Sequence, residues 1–156
     1  MKKVMFISST GGHLSEILQL KPMFKDYDFH LITEKDKMTE NMKQEYGDKI
    51  SFLVYGTRSH LFRYIFQFLY NCILTVIYYF KYRPDYIVST GAHTAGPMCL
   101  LGKIFGSKII FIETFANRTS KTMTGKLVYY FADLFIVQWE EMKELYPKAV
   151  VGGPIY

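Results

Sequence analysis

Ser9-Thr10-Gly11-Gly12-His13 follows the apolar run Val4–Ser8 and precedes Leu14, Ile17, Leu18 and Leu20 at helical spacing. A strand, a tight glycine loop and a helix start can turn backbone N–H groups and a helix dipole towards an anion. The loop carries neither G-x-G-x-x-G nor the Lys-Ser/Thr of a P-loop. It sets a histidine where the helix begins, which directs the reading to transferase chemistry. His13 can serve as a general base or as a donor to phosphate; a histidine in that place can equally do no more than bond the backbone.

Two further loops carry chemistry-bearing residues. Ser89-Thr90-Gly91-Ala92-His93-Thr94-Ala95-Gly96-Pro97 follows a strand pattern and opens a helix with small residues. His93 and Thr94 are candidates for substrate contact, against the alternative of a tight turn in which Gly96 permits close packing. Glu113-Thr114-Phe115-Ala116-Asn117-Arg118-Thr119-Ser120 places a carboxylate at a strand end beside an asparagine and an arginine. Glu113 and Arg118 can also simply pair with each other. The four histidines are scattered with no Cys or carboxylate cluster, so no metal site and no cofactor is expected. A G-x-S-x-G nucleophile elbow is missing as well.

Alternating elements must position these loops. Strands are expected at Val4–Ser8, Phe29–Thr33, Ser51–Val54, Tyr86–Ser89, Lys108–Ile112 and Leu134–Val137, with a last one at Ala149–Val151. Helices are expected at Leu14–Lys25, Asp36–Tyr46, Leu61–Tyr82, Ala95–Phe105, Thr122–Phe131 and Glu140–Tyr146. Pro22 bends or shortens the first helix; Pro84 and Pro147 end the third and sixth. This alternation predicts an α/β fold, a doubly wound parallel sheet with right-handed crossovers in one domain, 1–156. Ligands of such sheets bind off the carboxyl ends of the strands, at the switch point, so the loops after strands one, four and five share the functional edge.

The 156 residues carry a net charge of +5, which favours an anionic partner such as a phosphate-bearing substrate or an acidic membrane. The dispersed lysines and the lack of a recognised module argue against nucleic acid. Cys72 and Cys99 sit in apolar surroundings and read as buried thiols of a reducing compartment. Met1-Lys2-Lys3 precedes only four apolar residues, so no signal peptide is expected and the chain should stay in the cytoplasm.

Nine aromatic residues fall between Leu61 and Tyr82. The polar residues Ser59, Arg63, Gln67, Asn71 and Thr75 recur every fourth position as one narrow stripe, and the rest of the circumference is apolar. A helix over a sheet needs only one apolar face. The segment is long enough to span a bilayer, but spanning would put two strands of one parallel sheet on opposite sides. An interfacial helix is therefore expected, with one face on the sheet and Phe62, Phe66 and Tyr70 in the headgroup region. Arg58, His60, Arg63, Lys81 and Arg83 would meet acidic lipid. A protein interface or plain core are the alternatives.

Together, Ser9-Thr10-Gly11-Gly12-His13, Ser89-Thr90-Gly91-Ala92-His93, Ile112-Glu113-Thr114-Phe115-Ala116 and Phe135-Ile136-Val137-Gln138-Trp139 resemble a known family. It comprises the bacterial capsule and exopolysaccharide proteins of the PssD/CpsF type. These are similar to the eukaryotic membrane-recruiting subunit of the dolichol-linked N-acetylglucosamine transferase. More distantly, the pattern is similar to the N-terminal half of GT-B glycosyltransferases such as MurG. The resemblance implies that Thr10, Gly11, Gly12 and His13 face the donor diphosphate and the reacting hydroxyl. It implies that Gly91, His93 and Thr94 line the acceptor side, and that Glu113 and Asn117 shape the same cleft.

What the resemblance implies for function is the acceptor-side subunit of a two-chain glycosyltransferase on the cytoplasmic face of the plasma membrane. The chain would hold a polyprenyl-diphosphate-linked saccharide and recruit a catalytic partner carrying the UDP-sugar site, for UDP-galactose or UDP-N-acetylglucosamine. The eukaryotic relatives carry an N-terminal anchor, whereas Met1 here opens directly onto strand one, so attachment is expected from Leu61–Tyr82 or another protein. A purely structural recruiter and a stand-alone nucleotide-dependent enzyme are the rival expectations.

Overall fold

A computed structural model describes residues 1–56 and 61–156; Arg58, Ser59 and His60 of the expectations above lie outside the described residues. Seven strands form one parallel sheet: β1 (Lys3–Ser8), β2 (Asp28–Lys35), β3 (Ile50–Val54), β4 (Tyr86–Gly91), β5 (Lys108–Ile112), β6 (Leu134–Val137) and β7 (Val150–Val151). Their order is β3-β2-β1-β4-β5-β6-β7, so the winding reverses between β1 and β4. The helices are α1 (Gly12–Leu18), α2 (Met42–Tyr46), α3 (Leu61–Tyr82), α4 (Ala95–Ile104), α5 (Met123–Val128) and α6 (Met142–Leu145). This is the doubly wound, Rossmann-like architecture the alternation predicted, and the loops after β1 and β4 flank its switch point.

The first two expected helices are cut well short of their patterns, and those expected at Thr122–Phe131 and Glu140–Tyr146 run only over Met123–Val128 and Met142–Leu145. Pro22 lacks the N–H that would continue α1, so the chain restarts as a 3₁₀ turn at Lys21–Asp26 with Pro22 in its first turn. In the second, Asp36 Oδ1 accepts from the N–H groups of Met38 and Thr39, and Thr39 Oγ1 donates to the Glu34 carbonyl. Such local side-chain bonds compete with helix formation, and only Met42–Tyr46 is helical.

The core is split by the sheet. On one face Met5, Ile7, Ile87, Ile109 and Phe111 pack with Tyr79 of α3, Met98 of α4 and Val128 of α5. On the other, Phe6, Leu31 and Val88 pack with Leu14, Ile17 and Phe24. That second face is less fully covered: Val88, Ile110, Ile112, Leu134 and Ile136 line an apolar cavity of about 550 Å³. Cys99 is fully buried, which pushes its thiol up to about 12, while Cys72 is half-buried. Gly102 lets α4 approach the sheet, because a Cβ there would collide with Ile87 Cδ1 and press on Ile109 Cδ1. Gly102→Ala is expected to cost about 1–3 kcal/mol of stability by overpacking, read as a lower urea midpoint at unchanged slope.

The long helix α3 turns its polar stripe inward and much of its apolar surface outward. Its polar residues Asn71 and Thr75 are buried, while Leu61, Phe62, Ile65, Phe66, Leu69, Tyr70, Ile73 and Ile77 are exposed. The cause is the edge of the sheet. Among the described residues β3 has no neighbouring strand on its outer side, and an edge strand leaves backbone groups to be satisfied. Asn71 supplies both partners, donating to the Val54 carbonyl and accepting from the Val54 N–H at 2.8 Å each. Tyr78 donates to the Phe52 carbonyl at 2.9 Å. The inward face of α3 thus carries the polar Asn71 and Thr75 beside Leu74, Tyr78, Tyr79 and Tyr82, which pack on the core. Phe62, Arg63, Phe66, Tyr70, Lys81 and Arg83 are all exposed, and α4 and α5 add exposed Leu100, Ile104 and Leu127 on the same side of the sheet. By length and composition α3 could cross a membrane. Its packing against β3 and α4 holds it alongside the sheet.

Candidate functional site

Loops one and two meet beside the switch point. Ser9 N–H donates to the Gly91 carbonyl at 3.0 Å, and Ala92 N–H donates to Ser9 Oγ at 3.1 Å. Thr90 Oγ1 donates to the His13 carbonyl at 2.7 Å. Against these, His13 Nδ1 lies 2.7 Å from the Thr90 carbonyl oxygen. A carbonyl only accepts, so Nδ1 carries the proton, and neutral His13 keeps its lone pair on Nε2. The ring is 24% exposed. Its placement depends on Gly91, which has φ +100°, and a Cβ there would come within 3.2 Å of His13 Cε1. Gly11 has φ +75°, and a Cβ on Gly11 or Gly12 would meet nothing within 4 Å: the space above both is open.

The expected convergence of backbone donors is reduced in the structure. The N–H groups of Ser9, Thr10, Gly91 and Ala92 are all bonded within the protein. Thr10 is half-buried, with both its N–H and its hydroxyl directed to Glu34 Oε2. Thr94 is buried at the start of α4 and its hydroxyl has no partner among the described residues. His93 remains partly exposed, its Nε2 3.7 Å from Glu34 Oε1 and its ring 5.7 Å from that of Tyr64.

Loop three is held by its acid. Glu113 is 1% exposed, and its carboxylate accepts from Thr114 N–H, from the Thr122 hydroxyl and from Tyr146 Oη at 2.7 Å. Glu113 therefore braces residues 113–122 and presents no open oxygen to solvent. Its pairing with Arg118 is not formed: Arg118 bonds Glu141 at 2.8 Å and stacks over Trp139 at 4.2 Å. Asn117 is half-buried, its N–H donating to the Thr114 carbonyl. Gln138 Nε2 donates to the Glu113 carbonyl, and Trp139 Nε1 donates to the Phe115 carbonyl. Those two residues clamp the loop.

Two acids escaped sequence reasoning. Glu16 and Glu34 are each 2% exposed. Glu16 Oε1 accepts from Phe115 N–H and the Thr114 hydroxyl, tying α1 to loop three. Its other oxygen lies 3.9 Å from His13 Nδ1, and burial raises its pKa. Burial likewise pushes Glu34 up, to about 6. The available signal was spacing: Glu16 sits three residues after His13, on the same helical face. Among the described residues no cluster of three or more His, Cys, Asp or Glu could hold a metal ion.

The family model described as "Oligosaccharide biosynthesis protein Alg14 like" matches residues 4–155. The chain belongs to the Alg14-like family. Among its relatives, the human UDP-N-acetylglucosamine transferase subunit ALG14 is 28% identical over 178 residues, covering 97% of this chain and 82% of the relative. The Schizosaccharomyces pombe subunit of the same name is 26% identical, also over 97% of this chain and 82% of the relative. Solved structures share the fold. Acinetobacter baumannii MurG superposes with a TM-score of 0.71 at 17% identity, over 90% of this chain. The S. aureus MnaA–UDP structure does so with a TM-score of 0.72 at 15% identity, over 99% of this chain. This Alg14-like chain spans less than half the length of either, 43% and 44%. The expected likeness to the N-terminal half of GT-B enzymes thus holds at the level of fold.

Proposed function

We propose that this Alg14-like chain is the acceptor-binding subunit of a two-chain UDP-sugar glycosyltransferase at the cytoplasmic face of the plasma membrane. The reaction would extend a polyprenyl-diphosphate-linked saccharide with galactose or N-acetylglucosamine, in capsule or exopolysaccharide synthesis. The observation that carries the reading is His13: its Nδ1–H is fixed on the Thr90 carbonyl, and Nε2 is left as acceptor beside open space above Gly11 and Gly12. Relatives matching nearly the whole chain are named as subunits of a UDP-N-acetylglucosamine transferase, which supports both the chemistry and the need for a partner. The relatives, of which this chain covers 82%, are themselves named as subunits, which supports a donor site on another chain.

In this reading Nε2 takes the proton from the acceptor hydroxyl as its oxygen bonds to the sugar's anomeric carbon. The anomeric carbon–oxygen bond to UDP breaks, and UDP leaves with that electron pair. Glu16, 3.9 Å from Nδ1, stabilises the imidazolium so formed. Holding both substrates across one cleft can offset roughly 7–11 kcal/mol of barrier.

The test is sugar transfer from labelled UDP-galactose and UDP-N-acetylglucosamine to membrane lipid, with the chain alone and with the product of the neighbouring glycosyltransferase-like gene. Transfer is expected only with both chains. Turnover by this chain alone would instead establish the stand-alone enzyme.

A further inference from the structure

Three cations meet two aromatic rings where α3 and α4 end. Lys2, Arg83 and Lys108 line an open cleft of about 530 Å³ at the amino ends of β1, β4 and β5, and Asp85 is the one acid among the described residues of its lining. That acid is engaged, since Asp85 Oδ2 accepts from Lys3 N–H at 2.9 Å. Lys108 pairs with Asp133 at 3.2 Å. Lys2 and Arg83 are exposed and have no ion pair among the described residues. Hydrogen bonds fix the floor. Ser107 Oγ donates to the Pro84 carbonyl at 2.6 Å, so the 2.9 Å bond between Ser107 and Tyr79 Oη is donated by the tyrosine. Arg83 N–H donates to the Tyr79 carbonyl, and the N–H groups of Phe105, Gly106 and Ser107 take the Leu101, Lys103 and Gly102 carbonyls. Those bonds occupy the helix-end carbonyls that would otherwise repel an anion.

Resting on the membrane-bound subunit proposed above, we propose that this cleft binds the headgroup phosphate of one anionic glycerophospholipid. Arg83 and Lys2 bond the phosphate oxygens, Lys108 adds charge, and Phe80 and Phe105 pack against the start of the acyl chains. The site lies at the amino edge of the sheet, opposite the edge that carries His13. It is a single-lipid site, distinct from the diffuse attraction of basic residues on α3 to an acidic surface.

Charge and the shape of the rim select this occupant. Phe80 is 44% and Phe105 54% exposed, with ring centroids 5.0 Å apart in an edge-on contact. That contact joins the outward surfaces of α3 and α4, where Ile77 and Ile104 are exposed as well. Cations on the sheet layer behind exposed rings on the helix layer suit a ligand charged at one end and apolar at the other. A soluble phosphate ester or an acidic protein segment would use the cations and leave the rings in water, where their exposure is unfavourable.

The test titrates the full chain with monomeric dihexanoylphosphatidylglycerol, kept below its micelle concentration, and follows amide and aromatic resonances. Saturable shifts are expected at Phe80, Phe105, Gly106 and Ser107. Arg83→Gln should weaken binding about tenfold, the usual loss of a hydrogen bond to a charged group. Lys2→Gln, at an exposed position that folding does not depend on, should weaken it about fivefold. Lys25→Gln, which removes the same charge from an exposed position away from the cleft, should leave it unchanged. The absence of saturable shifts at the cleft overturns the site, and equal weakening by Lys25→Gln overturns it in favour of diffuse attraction. Glycerol 3-phosphate or a polyglutamate peptide binding as tightly as the lipid would overturn the lipid as occupant. Dihexanoylphosphatidylcholine binding as tightly would overturn the preference for an anionic headgroup. The monomeric probe needs neither vesicles nor the partner chain, so failure of this site is distinguishable from failure of membrane attachment or of sugar transfer.

Discussion

His13→Ala is expected to lower sugar transfer by the assembled two-chain complex by roughly 10²–10⁴-fold, the usual yield of a positioned general base. The ring is 24% exposed and bonds the Thr90 carbonyl, so His13→Ala should also cost about 1 kcal/mol of stability, and complex formation is checked by size exclusion alongside. The loss should fall mainly on kcat, because the proton transfer is made in the transition state rather than on binding. Unchanged transfer in a complex that still forms would leave the chain a recruiter, and the chemistry would belong wholly to the partner.

A second large effect is expected at the membrane. Phe62 is 81% and Phe66 71% exposed, and Ile73 lies on the same outward side. Burying each such side chain in the interface contributes about 1.5–3 kcal/mol at most. Phe62→Glu, Phe66→Glu and Ile73→Glu together should therefore reduce partitioning onto anionic vesicles by at least about 100-fold. The substitutions touch no buried partner, so folding should survive and soluble yield should rise. The basic residues Arg63, Lys81 and Arg83 add an electrostatic share of about 1 kcal/mol each, removable with salt. Vesicle binding that persists in the triple variant would assign the outward face of α3 to a protein partner.

The strand sequence, the parallel sheet and the three loops at one edge were legible because each rests on local signals. Apolar runs of strand length, glycine-rich turns and helical spacing recur in an order that right-handed crossovers convert into one topology. Gly-Gly-His after β1 could be placed at the switch point for the same reason. The shorter α1 was half legible, since Pro22 announced the break but not where the last turn would form. Glu113 could be placed at the end of a strand, but its use as a brace depends on Thr122 and Tyr146, which arrive from later elements.

Glu34 and Glu16 show where local reading ends. Each looks like a solvated acid on an exposed element, and each is buried only because loops 24 or more residues away close over it. The direction of α3 was decided in the same way. By itself the sequence determined a helix with one narrow polar stripe and a wide apolar surface, and ordinary amphipathic logic puts apolar residues inward. Which side faces the protein was settled by the outer edge of β3, whose backbone N–H and C=O at Val54 had no strand to bond. An unsatisfied pair of part-buried peptide groups costs more than the exposure of some of the helix's apolar area, so Asn71 turned inward beside Tyr78 and Tyr79 while Phe62, Phe66 and Tyr70 were left facing out.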